Sequence, residues 1–125
     1  MAGKTVSKKI LVIEDEKPLA RALELKLVHE GFEVKTALNG ELALGYLKAE
    51  KFSLIICDLI LPKIDGFQIL EFIRDSKIKT PVIVLTNLSQ SEDEKRVRAL
   101  GASDFFVKSN TPIAKIVEHI KEKIS

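Results

Sequence analysis

Short runs of apolar residues alternate along the chain with longer stretches in which apolar residues recur every three or four positions. Short β-branched runs are typical of strands, and the longer period is typical of amphipathic helices. The pair of patterns occurs five times. The predicted strands are residues 9–13, 33–36, 54–57, 82–85 and 105–107. Because a helix-length stretch follows every strand, the pattern predicts a parallel sheet.

Capping residues and glycines mark where the helices begin and end. The expected helix starts are Pro18, Asn39-Gly40, Asp65-Gly66, Ser91 and Thr111-Pro112. Ser91 and Glu94 have the spacing of a capping box, which predicts reciprocal hydrogen bonds at the start of the fourth helix. Gly31 and Gly101 are expected to end the first and fourth helices.

These elements predict an α/β fold, a doubly wound five-stranded parallel sheet with helices on both faces. The first, third and fourth strands are apolar throughout, as expected for strands that helices cover on both sides. The second predicted strand, residues 33–36, alternates with polar residues and is therefore expected at an edge of the sheet.

Length and composition narrow the class of protein. A chain of 125 residues suffices for a single domain, and we expect residues 1–125 to form one. Hydrophobic residues make up 46% and charged residues 30%, which are ordinary values for a globular protein. The net charge of +2, from 20 basic and 18 acidic residues, is too small to require nucleic acid or an acidic membrane as a partner.

The amino-terminal residues 1–8 are basic and are expected to form a flexible tail. The apolar run that follows them is too short for a signal peptide or a transmembrane helix, so we expect a cytoplasmic protein. Cys57 is the single cysteine and lies in an apolar strand, which suits a buried side chain in a reducing compartment.

Polar residues stand where the predicted strands end. They are Glu14 and Asp15 after the first strand, Asp58 after the third, Thr86 after the fourth and Lys108 after the fifth. The carboxyl ends of parallel strands share one edge, so these side chains are expected to meet in one crevice. Two carboxylates about 5 Å apart repel by about 3 kcal/mol at an effective dielectric near 20, so three of them together require a cation. Oxygen ligands favour Mg²⁺ or Mn²⁺.

Each of these residues also has an ordinary structural explanation. An acid at the end of a strand often caps the following helix, a lone lysine is usually solvated, and a threonine is common in turns. The functional interpretation depends on the whole set occurring together.

Four segments of the sequence, in order, resemble the receiver domains of two-component response regulators. They are residues 10–15, 58–66, 81–86 and 101–108, and the resemblance covers nearly the whole chain. It implies the flavodoxin-like strand order 2-1-3-4-5. A stand-alone receiver similar to the chemotaxis regulators is the nearest type.

The resemblance also implies roles for individual residues. Asp58 is expected to accept a phosphoryl group from a histidine kinase or a histidine phosphotransfer protein. Thr86 would donate its hydroxyl to that group, Lys108 would balance its charge, and Phe105 would turn inward as part of the switch. The implied ligands of Mg²⁺ or Mn²⁺ are Glu14, Asp15, Asp58 and the backbone carbonyl of Ile60. Phe105 is equally well explained as a core residue.

The sequence departs from the receiver pattern at two positions. A small residue usually follows the hydroxyl residue and a proline usually follows the lysine, whereas this chain has Asn87 and Ser109. We expect these residues to affect access to the phosphoryl group and the shape of the loop that carries Lys108.

The predicted function is a signalling switch that catalyses only its own phosphorylation and dephosphorylation. Phosphorylation would change a face formed by the fourth helix, the fifth strand and the fifth helix, which binds an unknown output protein. We expect a monomer or a weak phosphorylation-dependent dimer, with no direct contact to nucleic acid or membrane.

Other classes of protein share parts of this pattern. One is a receiver-like scaffold that binds its partner without phosphorylation. Another is a haloacid-dehalogenase-like phosphatase, which would need a second aspartate where Ile60 stands. A flavodoxin-type cofactor carrier would need a glycine-rich phosphate loop in place of Glu14-Asp15-Glu16.

Overall fold

The structure is a computed structural model that describes residues 8–124. Its strands are β1 (Lys9–Ile13), β2 (Glu33–Ala37), β3 (Leu54–Cys57), β4 (Val82–Thr86) and β5 (Asp104–Val107). Its helices are α1 (Lys17–His29), α2 (Gly40–Ala49), α3 (Gly66–Asp75), α4 (Ser91–Ala99) and α5 (Ile113–Ile124). The predicted basic tail lies outside the described residues except for Lys8, which is exposed.

All strand pairings are parallel, and the strands lie in the order β2-β1-β3-β4-β5. The predicted fold class and strand order are therefore confirmed, with β2 at one edge as expected. Ile13 pairs with Cys57 at the carboxyl ends of β1 and β3. Because these two residues are in register, the acids that follow them leave the sheet side by side.

Alternate residues of each central strand face opposite sides of the sheet and build two cores. One core contains buried side chains of α1 and α5, and the other contains buried side chains of α2, α3 and α4. Strands β1, β3 and β4 are buried along their lengths, apart from half-buried Lys9. Helices cover both faces, and only the ends of the central strands remain for polar side chains.

The capping residues are partly as predicted. Asn39 caps α2, since its Oδ1 accepts a hydrogen bond from the backbone of Leu42 at 2.8 Å. The predicted capping box at Ser91 is wrong. The backbone N–H groups of Asp93 and Glu94 donate to the carbonyl of Gln90, so Gln90 is the capping residue and Ser91 already lies inside α4.

A capping box does form at the start of α3, where Asp65 and Gln68 exchange side-chain and backbone hydrogen bonds of 2.9 and 3.0 Å. Within residues 8–124, none of the helices is long and apolar enough to cross a membrane.

Candidate functional site

The acids predicted from the strand ends lie together. One carboxylate oxygen each from Glu14, Asp15 and Asp58 falls within 4.8 Å of the others. Glu14 and Asp58 are only 1% and 3% exposed, whereas Asp15 faces solvent. The register of β1 and β3 produces this arrangement, because neighbouring parallel strands end at the same level. The sheet therefore holds two buried carboxylates beside a third exposed one.

Lys108 reaches into this cluster from the end of β5. Its Nζ lies 2.6 Å from Asp58 Oδ2 and 2.9 and 3.0 Å from the two carboxylate oxygens of Glu14. A longer ion pair of 3.3 Å joins it to Glu16. The side chain of Lys108 is only 9% exposed, so little solvent screens these ion pairs.

The pKa values of the buried groups follow from burial and from these contacts. Burial raises the pKa of Glu14 to about 6, although the Glu16 backbone N–H and the Lys108 ammonium oppose that rise. Burial by itself would lower the pKa of Lys108, but its hydrogen bonds to Asp58 and Glu14 outweigh burial and raise that pKa. Lys108 is thus held in its charged form.

The hydroxyl residue lies at the end of β4, one strand away from Asp58. Thr86 is completely buried, and its Oγ1 accepts a hydrogen bond from the Leu88 backbone at 3.3 Å. Among residues 8–124 its hydroxyl donates no hydrogen bond, so its proton remains available for an acceptor that enters the site. Phe105 is half-buried and packs against the core on the α2, α3 and α4 side of the sheet.

The loop that carries Asp58 is held from two directions. The backbone N–H of Ile60 donates to Asp58 Oδ1 at 3.2 Å, and the backbone N–H of Gly66 donates to the carbonyl of Leu59 at 3.0 Å. A Cβ atom at position 66 would collide with the Asp58 carbonyl oxygen. Glycine therefore lets the start of α3 approach the Asp58 backbone closely, which fixes where the carboxylate begins.

A small cleft of about 120 Å³ opens over Asp58, and the lining residues are Asp15, Glu16, Asp58, Ile60, Asn87 and Lys108. Two larger grooves, of about 520 and 430 Å³, lie beside residues 77–80, at the opposite ends of the strands from Asp58. Volume alone would favour those grooves. The acids and the buried lysine instead place the candidate chemistry at the small cleft.

Sequence reasoning missed three contributors to this site. It considered Glu16 only as part of an acidic run that a flavodoxin-type carrier would lack and Gly66 only as a helix start, and it did not foresee a contact between Asn87 and Ser109. The unbroken acidic run Glu14-Asp15-Glu16 was the available signal for the first. Asn87 and Ser109 stood out as departures from the receiver pattern, but neither their contact nor the close backbone approach at Gly66 could be predicted, because both arise only on folding.

The residues present fit a divalent cation that prefers oxygen ligands. The cluster has three carboxylates, and the one ammonium beside it, that of Lys108, pairs with Glu14 and Asp58, so the cluster has excess negative charge. Neither histidine nor cysteine belongs to the cluster, which disfavours zinc. The thiol of Cys57 is fully buried and donates a hydrogen bond to the Asp58 carbonyl at 3.2 Å. Burial raises the pKa of Cys57, so the thiol keeps its proton and does not bind a metal as a thiolate.

Fold and site together define a flavodoxin-like α/β domain with a cluster of acids that could hold a metal ion at the carboxyl ends of its strands. The chain belongs to the response regulator receiver domain family, whose pattern matches residues 10–121. The resemblance inferred from the sequence is thereby confirmed. Receiver domains of this family generally bind Mg²⁺ in an acidic pocket.

Several relatives are response regulators of bacteria. The chain is 36% identical over 107 residues to the alkaline phosphatase synthesis transcriptional regulatory protein PhoP of Bacillus subtilis, covering 86% of this chain and 45% of PhoP. It is 35% identical over 119 residues to the regulatory protein VanRc of Enterococcus gallinarum, covering 95% of this chain and 51% of VanRc. The chain thus spans about half the length of these relatives.

Solved structures that resemble this chain are also receiver domains. A CheY-like response regulator receiver domain protein from Methanospirillum hungatei superposes with a TM-score of 0.89 at 26% identity, covering 95% of this chain and 94% of that one. A Francisella response regulator receiver domain superposes with a TM-score of 0.86 at 27% identity, covering 93% of this chain and 95% of that one.

Proposed function

We propose that this chain is a phosphorylation-controlled interaction module in which Asp58 accepts a phosphoryl group from a phosphorylated histidine. In that transfer a carboxylate oxygen attacks phosphorus, the phosphorus–nitrogen bond breaks, and the histidine nitrogen leaves with the bonding electrons. One observation carries the proposal: Asp58 is buried, lies 2.6 Å from Lys108, and belongs to a cluster in which acids outnumber cations. Family membership supports the donor, because receiver domains of response regulators receive phosphoryl groups from histidine kinases.

Lys108 supplies positive charge where the reaction needs it. Phosphoryl transfer depends on positioning and on stabilising the negative charge of the phosphoryl oxygens. The raised pKa of Lys108 keeps its ammonium charged beside the Asp58 carboxylate. Bound Mg²⁺ or Mn²⁺ would neutralise further negative charge. The proposed ligands are Glu14, Asp15, Asp58 and the backbone carbonyl of Ile60.

Thr86 is the proposed link between the phosphoryl group and the rest of the domain. Its buried hydroxyl has a proton to donate, and a phosphoryl group adds strong acceptor oxygens at Asp58. Movement of Thr86 toward that group would free space beside β5, where half-buried Phe105 packs against the core. The switching roles of Thr86 and Phe105 are part of the proposal.

The proposed partner surface consists of α4, β5 and α5. Two of its basic side chains already have intramolecular partners: Arg96 lies 3.9 Å from the ring centroid of Phe67, and Lys123 lies 3.2 Å from Asp104. Cations engaged in this way are poorly placed to neutralise a nucleic-acid backbone. We therefore propose an output protein, and not nucleic acid, as the partner. A monomer or weak phosphorylation-dependent dimer as the state and the cytoplasm as the location complete the proposal.

No external turnover reaction is included in the proposal. PhoP and VanRc, of which this chain covers 45% and 51%, are named as regulatory proteins, and this chain corresponds to one part of each. We propose that the chain catalyses only its own phosphorylation and dephosphorylation.

Intact-protein mass spectrometry after incubation with acetyl phosphate and Mg²⁺ tests the proposal. We expect a mass increase of one phosphoryl group in the parent chain and none in Asp58→Asn. Asp75→Asn is the matched control, because Asp75 is an exposed acid on α3 far from the site in sequence, and it should still form the adduct. Removal of the adduct by hydroxylamine would identify an acyl phosphate.

The phosphorylated sample also tests the partner surface. Its amide NMR signals should shift along α4, β5 and α5 as well as at the site. An adduct with shifts confined to the site would contradict the switch, and absence of an adduct would favour the scaffold that works without phosphorylation.

A further inference from the structure

A hydrogen bond joins the loop after β4 to the loop after β5. The backbone N–H of Ser109 donates to Asn87 Oδ1 at 3.2 Å, although 22 positions separate the two residues in the sequence. Asn87 directly follows Thr86, and Ser109 directly follows Lys108. The bond therefore connects the immediate neighbours of two proposed site residues.

This bond requires particular residue types at both positions. A proline at position 109 would have no N–H to donate. An apolar side chain at position 87 would have no oxygen to accept. Asn87 and Ser109, the two departures from the receiver pattern, thus complement each other chemically.

Apart from the ion pairs of the Lys108 side chain, the loop that begins at Lys108 makes few other hydrogen bonds within the described residues. Residues Lys108–Asn110 form a single 3-10 turn, and Thr111 Oγ1 donates to the Val107 carbonyl at 2.9 Å, which closes the loop on itself. Within residues 8–124, the bond to Asn87 is the one hydrogen bond that ties this loop to the loop after β4. Pairing of Thr86 with Val107 places the residue before Lys108 beside the end of β4. The bond from Asn87 fixes the residue after Lys108 to the same region.

We infer that Asn87 is a positioning residue for Lys108, acting through the backbone of Ser109; this inference rests on the proposed phosphoryl transfer. Lys108 makes short ion pairs to two buried acids, at 2.6 Å to Asp58 and 2.9 Å to Glu14. Because the lysine side chain is flexible, a displaced backbone could keep both ion pairs only by changing the side-chain conformation. Loss of the bond from Asn87 should therefore weaken the interaction of Lys108 with a phosphoryl group at Asp58.

Asn87 also lines the cleft over Asp58, so the effect of its size and the effect of its hydrogen bond must be tested separately. Asn87→Leu keeps a side chain of similar size and removes the acceptor, whereas Asn87→Ala removes both. Asn110→Leu is the matched control, since Asn110 is exposed in the same loop and its side chain makes no hydrogen bond within the described residues.

Phosphorylation by acetyl phosphate with Mg²⁺ measures the effect on the reaction. In Asn87→Leu we expect the maximal rate to fall about five-fold, the ratio that corresponds to the ~1 kcal/mol of a typical hydrogen bond, with an unchanged half-saturating acetyl phosphate concentration. Asn87→Ala should show the same fall together with a lower half-saturating concentration, because the cleft is wider. Asn110→Leu should match the parent.

Two NMR measurements on the unphosphorylated chain test the positioning without the reaction. In Asn87→Leu the Ser109 amide should exchange with solvent about five-fold faster, and the ¹⁵Nζ signal of Lys108 should shift. Unchanged exchange of the Ser109 amide, or an unmoved Lys108 signal, would overturn the inference. A change in Asn87→Ala alone would mean that bulk, not the bond, matters.

These results also separate the two proposals. If the parent takes up no phosphoryl group, the proposed function fails, while the NMR signals still decide whether Asn87 positions Lys108. If the parent is phosphorylated and Asn87→Leu reacts at the parental rate, the positioning role is wrong and the proposed function stands.

Discussion

Strand β5 has a charged cluster at each end, and the two clusters have opposite composition. At its start, the carboxylate of Asp104 lies 3.1 Å from His119 Nε2 and 3.2 Å from Lys123 Nζ. At its end, the single ammonium of Lys108 is surrounded by carboxylates at 2.6 to 3.3 Å. One cluster has a single acid among bases, and the other has a single base among acids.

The difference between the clusters shows which one is suited to chemistry. Asp104 retains 19% side-chain exposure, and its contacts join β5 to α5 without excess negative charge. Around Lys108 the acids are buried and outnumber the cation, and burial raises the pKa of Glu14 to about 6. Burying unbalanced charge is costly, so a fold retains such a cluster where a ligand or reaction uses it.

The largest expected effect comes from removing the lone cation of the acidic cluster. Lys108→Met should lower the free energy of unfolding of the metal-free chain by about 3 to 5 kcal/mol, because Glu14 and Asp58 would remain buried without a partner. Urea denaturation near pH 7 with a chelator measures this change. Saturating Mg²⁺ should narrow the difference from the parent.

Lys95→Met is the control for that substitution, since Lys95 is exposed on α4. Its free energy of unfolding should stay within about 0.5 kcal/mol of the parental value. Similar losses for the two variants would mean that the acidic cluster is solvated and that the contrast between the ends of β5 is false.

A smaller effect is expected at the other end of the strand. Asp104→Asn should lower the free energy of unfolding by about 1 kcal/mol near pH 7, because the ion pair to Lys123 and the contact with His119 are partly exposed. Burial opposes ionisation of Asp104, but Lys123 and His119 outweigh it and hold the pKa of this carboxyl below its ordinary value of 3.8.

The sign of the pH dependence follows from that lowered pKa. The stabilisation is complete above the ordinary pKa and is lost as the pH falls through the lowered one. The difference between Asp104→Asn and the parent should therefore shrink when urea denaturation is repeated in acid. A difference independent of pH would show that the Asp104 contacts are not ionic.

The smallest expected effect concerns the exposed acid of the cluster. Asp15→Ala should raise the free energy of unfolding of the metal-free chain by about 0.5 kcal/mol, since repulsion from Glu14 and Asp58 is relieved but solvent screens much of it. Differential scanning calorimetry with and without Mg²⁺ measures this gain. The stabilisation that Mg²⁺ provides should decrease in the same variant, and a lower metal-free melting temperature would contradict the repulsion argument.

Local patterns were enough to predict the sheet and the identities of the polar residues at its edge. Apolar runs define β1, β3 and β4 because helices cover both of their faces, and parallel strands bring their carboxyl ends to one edge. Glu14, Asp58 and Thr86 were predictable as a group because each ends an apolar run in the sequence. Asn39 was predictable as a cap because its hydrogen bond is made within one turn.

Tertiary structure decided the contacts between loops that are distant in the sequence. The capping of α4 by the backbone carbonyl of Gln90 was not predictable from the spacing of Ser91 and Glu94, although the helix begins at Ser91 as expected. Whether Lys108 is solvated or buried between acids depends on where β5 ends relative to β1 and β3. The bond between Asn87 and Ser109 likewise exists only after β4 and β5 pair. Local sequence specifies strands and their ends, but only the assembled sheet sets distances of a few ångströms across its edge.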